Sequence, residues 1–321
     1  MISFKRFLYV GLVFLGIYLK VNIQFFFIFQ TIYELSLFAL LFINIKPKIL
    51  FRIYYLKDYY DFMKKALPLG ITSILVVIYS RITMYFLSAL SNTTYLGFYA
   101  AAYRISDASI IIFSSIIASL FPIFSKESND LKKINRIFLF STSKIFSFSV
   151  ITTFIIGLFA SIIINLLYGG KYNGGTTTLA ILSLWLPFAT MNQLFTYLII
   201  SRGKQRIIPI IAVFNMLINL LANFFLVSRF FDKGSALATV ITELINSIIQ
   251  MLCIKYVLNF SIGKIINFVP ALSFVSFTIV LIYFNCSIPL LVSFVILSLL
   301  IILYYFSGEL KLKEILSFIK N

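Results

Sequence analysis

The chain alternates between long apolar runs and short polar interruptions along almost its whole length. The runs fall at roughly 7–19, 21–45, 66–90, 95–124, 137–167, 178–200, 206–228, 234–257, 266–285 and 287–306. About 20 consecutive apolar residues carry an α-helix across the hydrocarbon of a bilayer, so the pattern predicts ten spanning helices, here segments one to ten. Segment one is short and must recruit residues 3–6 or thin the bilayer to cross. Lys5 and Arg6 precede it as in a signal peptide, but no small-residue cleavage site follows, so a retained helix is expected.

The longest polar interruption, KPKILFRIYYLKDYYDFMKK at 46–65, mixes aromatic and basic side chains as an interfacial amphipathic segment does. Basic-aromatic stretches also bind RNA, yet aromatics beside spanning helices anchor at the lipid headgroups, and no nucleic-acid partner is expected. The interruption sets segments one and two apart from the other eight. A glycine-rich turn, YGGKYNGGTT, follows segment five. Pro187 in segment six and Pro122 near the end of segment four each remove a backbone hydrogen bond and invite a kink.

Composition agrees with a lipid solvent: 61% of residues are hydrophobic and 12% charged, against about 25% charged in a soluble domain. Ten spans nearly exhaust the 321 residues, leaving no room for a soluble catalytic domain. The net charge of +17 is read as topology. With the amino end inside, Lys5, Arg6, the cations of 46–65 and 126–136, Arg202, Lys204, Arg206, Lys255, Lys264 and the C-terminal lysines gather on one side. Only Lys20, Lys171, Arg229 and Lys233 fall on the other. The positive-inside rule then places both termini in the cytoplasm. The chain has no histidine, which removes the commonest general base and metal ligand, and neither a catalytic residue nor a metal site nor a cofactor is expected. Cys253 and Cys286 lie about a helix length apart in this topology, too far for a disulfide.

Charges inside the spans are the strongest functional signal. Arg81, Arg104 and Lys144 are embedded cations, and Glu34, Asp107 and Glu243 embedded acids. A charge at the bilayer centre costs roughly 3 kcal/mol, so it is kept for a partner, a water-filled cavity or an anionic substrate. Arg104 and Asp107 are spaced to pair on one helix face. Arg81 has no acid at such spacing, and its partners could be Glu34 or Glu243. Lys144 is placed to snorkel to the interface. Glu243 suits either ion pairing or a protonatable coupling site. Asn215, Asn219 and Asn223 recur every four residues on one face of segment seven, placed to contact sugar hydroxyls or to bond between helices.

Segments three and four carry a specific set of motifs: Pro68 opening the helix, Ser80-Arg81 in mid-span, then Gly97, Tyr99, Ala102, Arg104 and a closing Phe121-Pro122. Tyr168-Gly169 before Tyr172, the Gly203-Lys204 turn, Asn215 with Asn219, and GSALATVITE from Gly234 to Glu243 follow in order. Over about residues 60–260 this resembles the polysaccharide-biosynthesis, O-antigen flippase family of the multidrug/oligosaccharidyl-lipid/polysaccharide exporter superfamily. The resemblance implies an all-α polytopic membrane bundle with partial two-lobe, MATE-like architecture. Residues 1–45 would be the remnant of a first lobe whose four leading helices are missing, 46–65 a cytoplasmic linker, 66–260 a six-helix second lobe, and 261–321 two extra helices and a tail. One departure stands out: Thr83 occupies a position where the family usually has an acid two residues after the arginine.

The implied activity is export of lipid-linked oligosaccharide repeat units for O-antigen, capsule or another surface polysaccharide, in the bacterial inner membrane. The implied partners are a polyprenyl-diphosphate-linked oligosaccharide, membrane lipid and other polysaccharide assembly proteins. Arg81 and Arg104 suit the diphosphate because a guanidinium stays ionised and offers a bidentate fork. Asn215 and Asn219 suit the sugars. No Walker-type glycine loop is present, so ATP would not power the chain directly. Three other readings compete. A membrane-embedded polymerase or ligase would use a sizeable outer loop. A drug-cation exporter would favour acids over arginines in its cavity. A non-transporting remnant or partner subunit would need the missing helices from another chain.

Overall fold

The computed structural model describes residues 21–44, 56–127, 130–258 and 260, together with positions 11, 16, 18 and 19. Most of segment one, segments nine and ten, residues 45–55, and with them Cys286, lie outside the described residues. The chain divides into two compact units, Met1–Lys65 and Ala66–Asn321. Among the described residues every regular element is helical.

In the first unit, α1 covers Ile23–Asn44. Three of its polar side chains bond within the helix: Gln30 Nε2 donates to Glu34 Oε1 at 3.0 Å, and Thr31 Oγ1 to the Phe27 carbonyl at 2.9 Å. Backbone bonding of this kind lets a polar residue sit in an apolar helix.

The second unit contains residues 66–90 of α2 (Leu56–Leu90), then α3 (Thr93–Lys126), α4 (Leu131–Leu158), α5 (Ala160–Tyr168), a 3₁₀ turn at Gly170–Gly175, α6 (Thr176–Ser183), α7 (Trp185–Ser201), a short 3₁₀ turn at Gln205–Ile207 and α8 (Ile208–Leu258). Residues 56–65, expected in the interfacial linker, are the opening turns of α2. Two starts are capped. Asn92 accepts from the Tyr95 amide at 3.1 Å, and Asp130 from the amides of Lys132 and Lys133 at 3.0 Å. At the end of α7, Gly203 takes φ 70°, and the amides of Gly203 and Lys204 bond back to the carbonyls of Ile200 and Ile199. This paired closure is what the Gly203-Lys204 motif encodes.

Segment six is not one helix. α6 and α7 meet at Leu184 with a bend of 41°. The expected kink is therefore real, displaced toward the N-terminus, because a proline ring collides with the carbonyl four residues earlier. For Pro187 that carbonyl belongs to Ser183, and Thr153 Oγ1 of α4 donates to it at 3.0 Å. Pro122 behaves differently: α3 runs through it to Lys126. Segment five also divides, at Phe159, into α4 and α5.

Segments seven and eight run into each other as the two limbs of α8, with a sharp reversal at Phe231, where φ is 50° and ψ −123°. Eight residues span about 12 Å of straight helix, yet a Cβ on Gly234 would lie 2.1 Å from the Leu226 carbonyl oxygen. The limbs 208–230 and 232–258 thus double back on each other. Stacking of Phe231 on Tyr95, rings 4.7 Å apart and nearly parallel, holds the strained corner.

The bent α6–α7 pair is the hub, packing on α3, α4 and α8. Two apolar cores lie at its ends. One gathers Tyr99, Phe154, Ile164, Leu179 and Val227; the other gathers Phe124, Phe138, Leu194, Phe195 and Ile254. Residues 66–90 of α2 join through side chains such as the fully buried Leu87 rather than through close backbone packing. Ala66–Leu90, Thr93–Lys126, Leu131–Leu158 and Gln205–Leu258 are long and apolar enough to cross a membrane, and the bent pair adds a fifth candidate. The chain is a multi-pass membrane protein.

Two substitutions test this architecture through the melting temperature of protein purified in nanodiscs. Gly234→Ala, which drives a methyl group into backbone, is expected to destabilise by about 1–3 kcal/mol. Thr153→Val keeps the shape but leaves the Ser183 carbonyl unpaired, for a loss of about 1–3 kcal/mol.

Candidate functional site

Between the two apolar cores lies a belt of buried polar side chains, and its spacing explains it. On the first limb of α8, Asn215, Asn219, Asn223 and Val227 follow every fourth residue; on the second, Thr239, Glu243, Asn246 and Gln250 follow every third or fourth. Each set occupies one helical stripe, and both stripes turn inward. In hydrocarbon this inversion is expected, because polar groups find partners only within the protein.

Glu243 is the centre of the belt. Asn192 Nδ2 of α7 donates to its Oε2 and, at 3.1 Å, to its backbone carbonyl. The Tyr79 hydroxyl of α2 donates to its Oε1 at 3.4 Å, and Asn246 Nδ2 to its Oε2 at 3.4 Å. Ser247 Oγ donates to Asn192 Oδ1 at 2.8 Å and fixes that amide. Below, Gln250 Nε2 donates to Asn246 Oδ1 and Thr196 Oγ1 to Gln250 Oε1, both at 3.2 Å.

The asparagine stripe divides its work. Asn219 Nδ2 donates to Thr242 Oγ1 at 3.3 Å across the two limbs. Asn223 Nδ2 donates to Thr83 Oγ1 at 3.2 Å and to Asn219 Oδ1 at 3.0 Å. Asn215 is equally buried, at 2% exposure, and its Oδ1, like that of Asn223, has no hydrogen-bond partner among the described residues. Thr83, where an acid was looked for, is buried and spent on Asn223.

Two adjoining pockets open against the belt, with volumes of about 350 and 190 Å³. Tyr79, Trp185 and Glu243 line both; Asn192, Asn215 and Asn246 line the larger, and Asp107 the smaller. Among the described residues, the lining of these pockets contains no cation.

The embedded cations lie elsewhere. Arg81 and Arg104 are exposed, and neither forms an ion pair among the described residues. Arg81 lies two residues from both Tyr79 and Thr83, about 200° around the helix from each. The spacing of Arg104 and Asp107 does not produce a salt bridge, and Glu243 is engaged by amides and a phenol rather than by arginine. Glu34 belongs to the first unit, where it is exposed and bonded to Gln30. Lys144 is half-buried, its ammonium 5.7 Å from the centre of the Phe140 ring. Sequence reasoning missed Tyr79, Trp185, Asn192 and Asn246. The 243, 246, 250 spacing inside an apolar run was the available signal.

Residues 18–176, about half of the chain, match the model of a family described as polysaccharide biosynthesis protein. The chain belongs to this polysaccharide biosynthesis family. Solved structures show the fold of the family member. The lipid II flippase MurJ, in an inward closed conformation, superposes with a TM-score of 0.66 at 19% identity over 94% of this chain and 65% of that one. A MOP superfamily transporter from Pyrococcus furiosus, described as having a binding pocket of reverse polarity, gives 0.53 at 14% identity over 68% and 53%. An outward-facing multidrug resistance MATE family transporter of that superfamily gives 0.50 at 12% identity over the same shares. The chain thus spans about 65% of the length of the MurJ chain. The sequence has no significant match among curated proteins.

The belt makes a stability prediction. Asn192→Leu withdraws the principal donor from a buried carboxylate and is expected to lower stability by about 1–3 kcal/mol, read as a lower melting temperature in nanodiscs. Gln193→Leu, one residue along on the same helix, is expected to cost less.

Proposed function

We propose that this chain exports lipid-linked oligosaccharide repeat units for O-antigen, capsule or another surface polysaccharide. One observation carries the reading: two guanidinium groups, Arg81 and Arg104, are exposed and form no ion pair among the described residues, on helices long and apolar enough to cross the membrane. Facing hydrocarbon, each would cost roughly 3 kcal/mol, whereas facing a wet path each is ready to meet an anion. A diphosphate bridging lipid and glycan is such an anion, and the arginine fork matches its oxygens. Family membership and the flippase-like fold support the same reading.

In this reading the protein is a transporter rather than an enzyme, held in a bacterial inner membrane with both termini in the cytoplasm, as the distribution of cations favours. Asn215 and Asn219 contribute on the sugar side. Glu243 acts as a coupling carboxylate, a role suited by its enclosure among neutral donors, and Asp107 sits beside it at the smaller pocket. Glu34 serves the first unit.

The test is complementation. Expressed in a flippase-null strain, the chain is expected to restore surface polysaccharide. Arg81→Ala is expected to abolish restoration, Arg81→Lys to retain part of it, and Arg104→Ala to reduce it. Restoration that appears only when further first-lobe helices are co-expressed would favour the partner-subunit reading. Undiminished transport by an Arg81→Ala, Arg104→Ala double variant would refute a role for these cations.

A further inference from the structure

We infer that the paired pockets around Glu243 are a docking site for one sugar ring of the carried glycan, neutral or amino-substituted but not acidic. The inference rests on the carrier function proposed above and adds which part of the substrate this site takes. Three independent features point to it.

The first is size. The larger pocket alone, at about 350 Å³, reaches the lower end of the range for small-molecule sites, about 300–1,000 Å³. A bare cation needs far less room, since its oxygen ligands close in to about 2.3–2.6 Å in a calcium site.

The second is an unfilled acceptor. Among the described residues the Oδ1 atoms of Asn215 and Asn223 are both buried without a partner, and of the two only the Asn215 side chain lines the larger pocket. A buried amide oxygen left unpaired is costly, so a donor from outside the protein is the natural completion. A sugar hydroxyl is such a donor and can accept in return from a neighbouring amide.

The third is polarity. Among the described residues Glu243 and Asp107 are the charged groups of the lining, and Trp185 and Tyr79 give both pockets an aromatic surface. Carboxylates and side-chain amides next to an aromatic wall hold the hydroxyl edge and the apolar face of a pyranose together. The same carboxylates repel a uronic acid or a phosphate. The charge pattern therefore separates the two ends of the substrate: the diphosphate goes to the exposed arginines and a ring of the glycan to the acidic pocket.

Trp185 is the chain's single tryptophan, so its fluorescence reports directly on the pocket. The full chain, in nanodiscs free of glycoside detergent, is titrated separately with N-acetylglucosamine, glucosamine, glucuronate, inorganic diphosphate and sodium chloride. Choline chloride holds ionic strength constant. The two uncharged or amino sugars are expected to give saturable changes, and glucuronate to bind at least about tenfold more weakly because of like-charge repulsion. Diphosphate and sodium are expected to give none. Asn215→Leu is expected to shift the sugar midpoint about fivefold or more, as loss of one hydrogen bond does. Asn165→Leu, away from the pocket, is expected to leave it unchanged. Equal binding of glucuronate, or a saturable response to sodium alone, would overturn the inference. A chain that restores surface polysaccharide but shows no saturable sugar response would refute the docking site while the carrier function stands.

Discussion

The second unit is organised by a single constraint: a carboxylate buried among helices that lie in hydrocarbon must be given its donors by other helices. Glu243 draws a phenol from α2, an amide from α7 and an amide from its own limb of α8. Each such bond contributes only about 0.6 kcal/mol on average, so together they do not supply the bulk of stability. They supply register. Sliding any of these helices by one turn would strand a buried charge, at a cost of several kcal/mol, whereas the apolar cores on either side tolerate small slips.

This inward polarity leaves the unit with two chemistries that do not mix. The interior collects acids, amides and aromatics, while the embedded arginines are displayed at the surface. A long amphiphilic substrate with an anionic joint and a polyhydroxylated end needs such a division. Had Arg81 closed onto Glu243, both groups would have been neutralised and neither end of such a substrate would find a partner.

Much of this was legible from residue order alone. Periodicity and composition identified an all-helical membrane protein, and the run of motifs from Pro68 to Glu243 pointed to the family. The Gly203-Lys204 turn and the asparagine stripe were visible because glycine at a helix end and a four-residue repeat are local signals. Breaks were harder to read. The split at Phe159 carries no proline and is marked only by Gly157 two residues earlier, and the Phe231 corner depends on a stacking partner more than a hundred residues away. Salt bridging failed as an expectation for a related reason: the 104, 107 spacing permits a pair, but exposure lets each side chain choose other surroundings. Tyr79 and Asn192 could not be assigned to Glu243, since only the folded arrangement brings three distant helices to one oxygen pair.

The bend between α6 and α7 also limits how the unit can change shape. A proline break is often taken for a pivot, but here the carbonyl that the proline frees is captured by Thr153 from a neighbouring helix. The elbow is therefore tied to α4. Residues 66–90 of α2 are held by side chains, among them a phenol, a threonine hydroxyl, the buried Leu87 and its neighbours Met84 and Phe86. Because that stretch supplies Tyr79 to both pockets, one wall of the acidic interior belongs to a helix anchored by its side chains.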